Sequence, residues 1–344
     1  MSTRFTRRAF MKTTAATGAA LALGSCGKEQ PLRFDDVPQG QVVLVRAETP
    51  EEAVARGIAH MGNFSFIQPG QTVLLKPNMT GPLIPPDITS PAVLKELIRQ
   101  CWAAGAGEVI VAERTFVGMT TVDTFSIQLY EGGGSSMLDC IEEVGATFRP
   151  FDDEPWVEVH PPGAVDFDQP LLIPGLLSEV DHLINVPALK THYIAGFTMT
   201  LKNFFGCVHP DTRQQQVHDD PRNDTDPDRE KRMFAQMNLA FDPVVNVMDA
   251  IISRTTGGPM PPGDTADTNL VLFGRDRVAM DAVGLAILRH VGTEPDIESQ
   301  PVWNQVQLAE AVRVGIGVSG PDEITLLGDG VEELEEIDAL LRET

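Results

Sequence analysis

Short runs of apolar residues recur along this chain, and their spacing switches between the two-residue period of strands and the 3.6-residue period of helices. Val42 to Val45 and Thr72 to Lys76 predict strands, with an amphipathic helix from Pro50 to Met61 between them, which suggests a βαβ unit. A proline-rich loop follows from Pro77 to Ser90. Ser90-Pro91 then opens a helix carrying Val93, Leu94, Leu97 and Ile98, and Gly105 and Gly107 end it before a strand from Glu108 to Ala112. A glycine-marked loop, Gly132 to Ser136, precedes a helix reaching Val144, and Leu183 to Val186 forms a further strand. The acidic segment Asp211 to Arg232 has no apolar periodicity and reads as loop, whereas Pro243 to Ile252 predicts a helix broken by Gly257 to Gly263.

A second βα series closes the chain. It comprises a strand from Asn269 to Phe273, a helix from Asp276 through Leu288, another near Gln305 to Val314, a strand from Ile324 to Leu327 and an acidic terminal helix. No repeat of fixed period interrupts it. The pattern predicts an α/β protein of two Rossmann-like lobes with mostly parallel sheets and a cleft between them, the first over residues 41–252 and a smaller second over 253–344.

The first residues follow another logic. Thr6-Arg7-Arg8-Ala9-Phe10-Met11-Lys12 and the Ala/Gly-rich run to Ser25 resemble a twin-arginine export signal, so residues 1–25 are expected to be a leader handled by the twin-arginine export machinery. That route carries proteins already folded, often with a cofactor loaded. Leu23-Gly24-Ser25-Cys26 resembles a lipobox, which would anchor the chain to the membrane through lipidated Cys26; cleavage after Ala20-Leu21-Ala22 is the alternative. Residues 26–40 then form a tether. The expected location is exported, periplasmic or in the cell envelope.

A formal net charge of -23, more negative still without the four basic residues of the leader, argues against nucleic-acid partners. The four cysteines have no CxxC spacing, so no iron–sulfur cluster is expected. Of only seven lysines, Lys190 and Lys202 fall within Pro187 to His218, a stretch that also holds His192, His209 and His218. Histidines are transition-metal ligands and acid/base groups near neutral pH, and a sheltered lysine can lose its proton and act as a nucleophile. His192, Lys202 and His218 are accordingly candidates for function, while His209 beside Pro210 reads as structural and Cys207 as a small buried residue. Lys76-Pro77-Asn78 at a strand's carboxyl end, and the helix start at Ser90-Pro91, are candidates for holding an anion.

This stretch, with Lys76-Pro77-Asn78, Gly258-Pro259 and Asp276-Arg277-Val278-Ala279-Met280-Asp281, resembles domain-of-unknown-function family 362 across the chain after the leader. That resemblance brings no settled activity. The run His192-Tyr193-Ile194-Ala195-Gly196-Phe197, with Lys202 and His218, is also similar to a motif of the nickel-dependent lactate racemase family. That resemblance implies Lys202 as tether of a nickel-pincer nucleotide, His218 as nickel ligand and His192 as acid/base. The chain departs from the racemase pattern where a second acid/base histidine would stand, having Glu113-Arg114-Thr115-Phe116, and where a substrate arginine would stand, having Asn78-Met79-Thr80-Gly81. Glu113 is therefore a further catalytic candidate, and Lys76, Asn78, Thr80, Lys190 and Asn203 join Lys202 as cofactor-binding candidates.

The reading is of a metal- or cofactor-dependent enzyme acting on a small anionic ligand, with racemase/epimerase-like or hydride-transfer chemistry. A non-catalytic, lipid-anchored anion-binding protein of the envelope is the alternative. A partner-docking role for the acidic 211–232 loop, with Ca²⁺ bound there, ranks third because the loop lacks regular oxygen-ligand spacing.

Overall fold

In the computed structural model, residues 32–116, 118–129, 134–259 and 263–343 are described. The leader, Cys26, most of the tether and Gly132-Gly133 lie outside them. The strands are β1 (Gln41–Val45), β2 (Thr72–Pro77), β3 (Glu108–Val111), β4 (Thr147–Phe148), β5 (Trp156–Val159), β6 (Leu171–Pro174), β7 (His182–Val186), β8 (Ala188–His192), β9 (Gly196–Thr198), β10 (Val245–Arg254), β11 (Thr265–Ala266), β12 (Leu270–Gly274) and β13 (Thr325–Asp329). Eleven of them make one sheet in the order β13-β1-β12-β10-β7-β2-β3-β4, with β8, β9 and β11 attached beside β10, while β5 and β6 form a separate ribbon. Along the main order only β12 runs antiparallel to its neighbours.

The α/β class and the largely parallel pairing agree with expectation. The sheet itself is common to both expected lobes, because β1 pairs with β12 and β13, and the expected boundary after residue 252 falls inside β10. Nor are β1 and β2 neighbours, since β12, β10 and β7 stand between them.

Alternation decides which residues face which layer. Val43, Val45, Val73, Leu75, Val109 and Val111 point into one core with the helices Pro50–His60, Pro91–Ala103 and Met137–Glu143. Val42, Leu44, Met248 and Leu272 pack under the helix Arg277–Val291 on the opposite face, and Leu74, Ile110 and Leu183 under Phe151, Phe204 and Phe234. On that opposite face the alternation also places Lys76, Asn185 and Asn246, three fully buried polar residues in positions an apolar side chain would ordinarily hold.

Two expectations are corrected here. The segment 243–252 is strand β10, not helix: its spacing Val244, Val245, Val247, Met248, Ile251 mimics a helical stripe, but a central strand covered on both faces carries the same near-continuous apolar run. The acidic segment 211–232 is not loop. It holds a π-helical turn over Arg213–His218, a 3-10 turn over Pro221–Asp224 and the start of the helix Arg229–Gln236. No described helix is long and apolar enough to cross a membrane.

Candidate functional site

Beyond the carboxyl ends of β2, β3 and β8 lies a cavity of about 950 Å³. Its lining brings together His192, Lys202 and His218 with Arg114 and Arg213, under walls that include Met79, Leu83, Phe116 and Phe205.

Lys202 sits on the short helical turn Thr200–Asn203, placed by a cap from a distant element. Asp281, on the helix Arg277–Val291, accepts the backbone N–H of Thr200 at 2.7 Å and of Leu201 at 3.0 Å. Arg277 and Asn238 complete the cradle, since Arg277 Nη1 donates to the Asn238 carbonyl (2.9 Å) and Asn238 Nδ2 donates to the Leu201 carbonyl (2.9 Å). The Asp276-to-Asp281 run is thus the support of the Lys202 turn: Asp276 caps its own helix at Ala279 and Asp281 caps the neighbouring one.

The Lys202 side chain is 8% exposed, and its Nζ lies 4.6 Å from the Phe234 ring centroid and 5.3 Å from that of Phe205. Among the described residues it has no hydrogen-bond or ion-pair partner. Burial, aided by the positive charge of Lys190, lowers its pKa to about 7. Arg213, 5% exposed, reaches the carbonyls of Arg114 (3.3 Å) and Thr115 (3.2 Å) and has no carboxylate partner among the described residues, and its Nε is unsatisfied. Burial lowers its pKa to about 10, which still leaves it charged at neutral pH. The cavity of a strongly acidic protein thus sets Arg114, Lys202 and Arg213 against Glu113 and Glu230, with Arg213 the buried cation that a small anion could meet.

The two histidines are held differently. His192 ends β8, and its Nδ1 accepts the backbone N–H groups of Ile194 (3.1 Å) and Ala195 (3.2 Å) in the turn closed by Gly196, whose φ of 79° favours glycine. Burial first, then the charges of Lys202, Lys190 and His218, hold its pKa well below the usual imidazole value. His218 ends the π-helical turn with Nδ1 2.7 Å from Glu230 Oε1 and its ring edge-on to Phe205.

The other candidates have their polar atoms committed within the protein. Lys76 donates to Glu113 Oε2 at 2.6 Å and to the Pro77 carbonyl at 3.0 Å. Glu113 Oε1 accepts the Arg114 N–H at 2.8 Å, so neither oxygen is a free base; burial raises its pKa and Lys76 pulls it back. Lys190 donates to Asn78 Oδ1 (2.7 Å) and the Asp87 carbonyl. Lys76 and Lys190 are completely buried and do not line the cavity, which corrects their expected role as direct ligand contacts. Asn78 and Asn203 border the cavity, but their amides belong to a chain: Asn78 Nδ2 donates to Asn203 Oδ1 (3.0 Å), Asn203 Nδ2 to Asn185 Oδ1 (2.8 Å) and Asn185 Nδ2 to Asn246 Oδ1 (3.0 Å). That chain sets the site rigidly on the sheet. Thr80 lines the cavity wall beside Phe116, whose N–H donates to the Thr80 carbonyl at 2.9 Å.

Ser90-Pro91 is also corrected as an anion site. Asp249 Oδ2 already accepts the Ser90 N–H at 2.6 Å. His209 accepts from Asp211 N at 3.1 Å and packs edge-on against Trp156, and Cys207 is fully buried in the apolar layer. Arg213 and Glu230 escaped sequence reasoning because the segment holding them reads as loop, and Asn185 and Asn246 because single amides in apolar strands give no pattern.

Gly206 makes this packing possible. A Cβ there would overlap Glu113 Oε1 and lie 2.9 Å from Lys76 Nζ. Gly206→Ala is expected to push the buried ion pair apart and cost about 2–4 kcal/mol, read as a lower urea midpoint; unchanged stability would show that the pair yields freely.

A family model described as Domain of unknown function (DUF362) matches residues 73–286. A curated thylakoid-associated protein from Synechocystis sp. is 29% identical over 234 residues, covering 67% of this chain and 66% of that protein. Among solved structures, the lactate racemase apoprotein from Thermoanaerobacterium thermosaccharolyticum aligns at 16% identity and a TM-score of 0.36, over 63% of this chain and 51% of that one. A structural-genomics crystal structure of a protein from Thermotoga maritima aligns at 13% identity and a TM-score of 0.36, over 62% and 54%. The chain thus spans about two thirds of the curated relative and about half of each solved chain.

Proposed function

The chain belongs to the family described as Domain of unknown function (DUF362), and because membership brings no activity with it, we propose one from the cavity: an enzyme acting on a small anionic molecule, with Lys202 as the cofactor-bearing amine. The observation that carries this reading is a buried lysine with no hydrogen-bonded carboxylate among the described residues, flanked in one cavity by two imidazoles and a buried arginine. A lysine used only for structure is ordinarily paired or solvated. An amine with a pKa near 7 is instead poised to be neutral, and so nucleophilic, at working pH.

The residues fit a metal carried by an organic cofactor better than a bare ion. Among the described residues no three His, Cys, Asp or Glu side chains gather as a metal site. His218, oriented by Glu230 in the way carboxylates orient ligating imidazoles, supplies one ligand, and the others would come from the cofactor, such as a nickel-pincer nucleotide tethered at Lys202. Such a group supplies, when bound, an acceptor for an electron pair or hydride from the substrate. The protein's own contribution is to hold the anion near Lys202 and Arg213 and to exclude water with Phe205 and Phe234. Because Glu113 is tied to Lys76, it offers no free second base, which favours hydride-transfer chemistry on one face over racemisation between two facing bases.

Intact-mass and metal analysis of protein purified from its native host tests this. Added mass mapping to Lys202, with about one metal per chain, is expected. An unmodified, metal-free chain that binds anions reversibly would replace the enzyme with the alternative, a non-catalytic anion-binding protein. The same spectrum reads whether the chain starts at a lipidated Cys26 or after Ala22, and so tests the proposed export and membrane anchoring.

A further inference from the structure

The two imidazoles of the cavity are fixed by partners of opposite kind. His192 Nδ1 faces two backbone N–H groups, which can only donate, at 3.1 and 3.2 Å. That nitrogen must keep its lone pair, so the ring proton resides on Nε2. His218 Nδ1 faces the Glu230 carboxylate, which accepts, at 2.7 Å, so there a proton resides on Nδ1, and in the neutral ring Nε2 keeps the lone pair. Tyr193, stacked on His192 at 5.3 Å and 7° between planes, reinforces the ring's orientation, and Phe205 does the same edge-on for His218.

We infer that His192 is a fixed Nε2–H donor and His218 a fixed Nε2 acceptor, so that the cavity recognises an oxyanion whose oxygen accepts from His192 and whose electron-poor side faces His218. This rests on the proposed reading of the cavity as the site of an anionic small molecule and narrows the ligand to a carboxylate or polarised carbonyl oxygen. His192 then neither ligates a metal nor takes a proton: its lone pair is spent on Ile194 and Ala195, and a second ring proton would point at their N–H groups. Its role is to hydrogen-bond negative charge on oxygen, and the acceptor and ligand roles fall to His218. The arrangement also explains why one turn supplies two converging N–H groups to a side chain that could have been left free.

Nitrogen-15 NMR of histidine-labelled wild-type protein tests the assignment, with the signals of the seven histidines identified by their loss in single variants. Two rings with opposite tautomers at positions 192 and 218 are expected. A proton on Nδ1 of His192, or the same tautomer in both rings, overturns the inference. Oxalate binding by calorimetry provides the second reading. His192→Asn keeps an oxygen for Ile194 and Ala195 but leaves its NH2 short of the Nε2 position, and should weaken oxalate about tenfold or more, whereas the NH2 of His192→Gln reaches that position and should stay within about threefold. Equal loss in both variants counts against a donor role. Failure of the wild-type protein to bind oxalate counts instead against the anion site, while the NMR result still decides the tautomers.

Discussion

Lys202→Met is expected to make the protein more stable and to abolish its binding of small anions. The amine lies under two aromatic rings with no ion-pair partner in contact, and burial takes its pKa from 10.5 to about 7. At about 1.4 kcal/mol per pKa unit, keeping it charged in the folded state costs a few kcal/mol below pH 7. Between about pH 7 and 10.5 the unfolded chain holds a proton that the folded one has released, so this residue makes stability rise with pH across that window. Methionine removes the penalty and its share of the slope. Lys190, also lowered to about 7 chiefly by burial, keeps its own share. Urea unfolding at pH 7 and pH 9, with oxalate titration, checks both halves. A destabilised variant that still binds oxalate would refute the assignment.

Asp281→Ala should have the opposite signature, losing stability and ligand binding together. It strips the cap from the Thr200 and Leu201 N–H groups in the fully buried turn that aims Lys202. Each buried donor left unpaired costs about 1–3 kcal/mol, so a total near 3 kcal/mol is expected. Asp281→Asn, which keeps one acceptor oxygen, should lose less. The pH dependence follows from burial, which pushes the carboxyl up from 3.8 to about 8. Between those values the folded state holds a proton that the unfolded chain lacks, so its contribution to stability is full below about pH 4 and fades as pH rises toward 8. The shares of Asp281 and Lys202 therefore run in opposite directions, the first falling with pH up to about 8 and the second rising above about 7. Chemical denaturation of wild type and each variant across pH 4–10 reads each share as a difference in slope; a variant whose slope matches the wild type would count against that group.

Much of the fold was legible because strand and helix periods, the Ser90-Pro91 start and the terminal βα series are local signals that the tertiary structure left intact. The failures have physical causes. β10 is buried on both faces, so its apolar run carries no alternation, and the Arg213–His218 turn, with only Arg213 and Val217 buried, has no apolar stripe to announce it. Within the site, residue type and rarity pointed to His192, Lys202 and His218, which the chain brings to one cavity. What composition could not separate is a lysine facing a cavity from one facing a carboxylate: Lys76, Lys190 and Lys202 look alike in sequence and differ only in their partners. Asn185 and Asn246 were invisible for the same reason.

The pairing of β1 with β12 and β13 ties the start of the fold to its finish. As the polypeptide leaves the ribosome, β2, β3 and β7 can pair early, but β1 has no neighbour until residues 270–274 and 325–329 have been made. The second edge of β1 is therefore covered only once β13 has been translated, and a chain cut short before residue 325 would leave that valine-rich edge unpaired and prone to self-association.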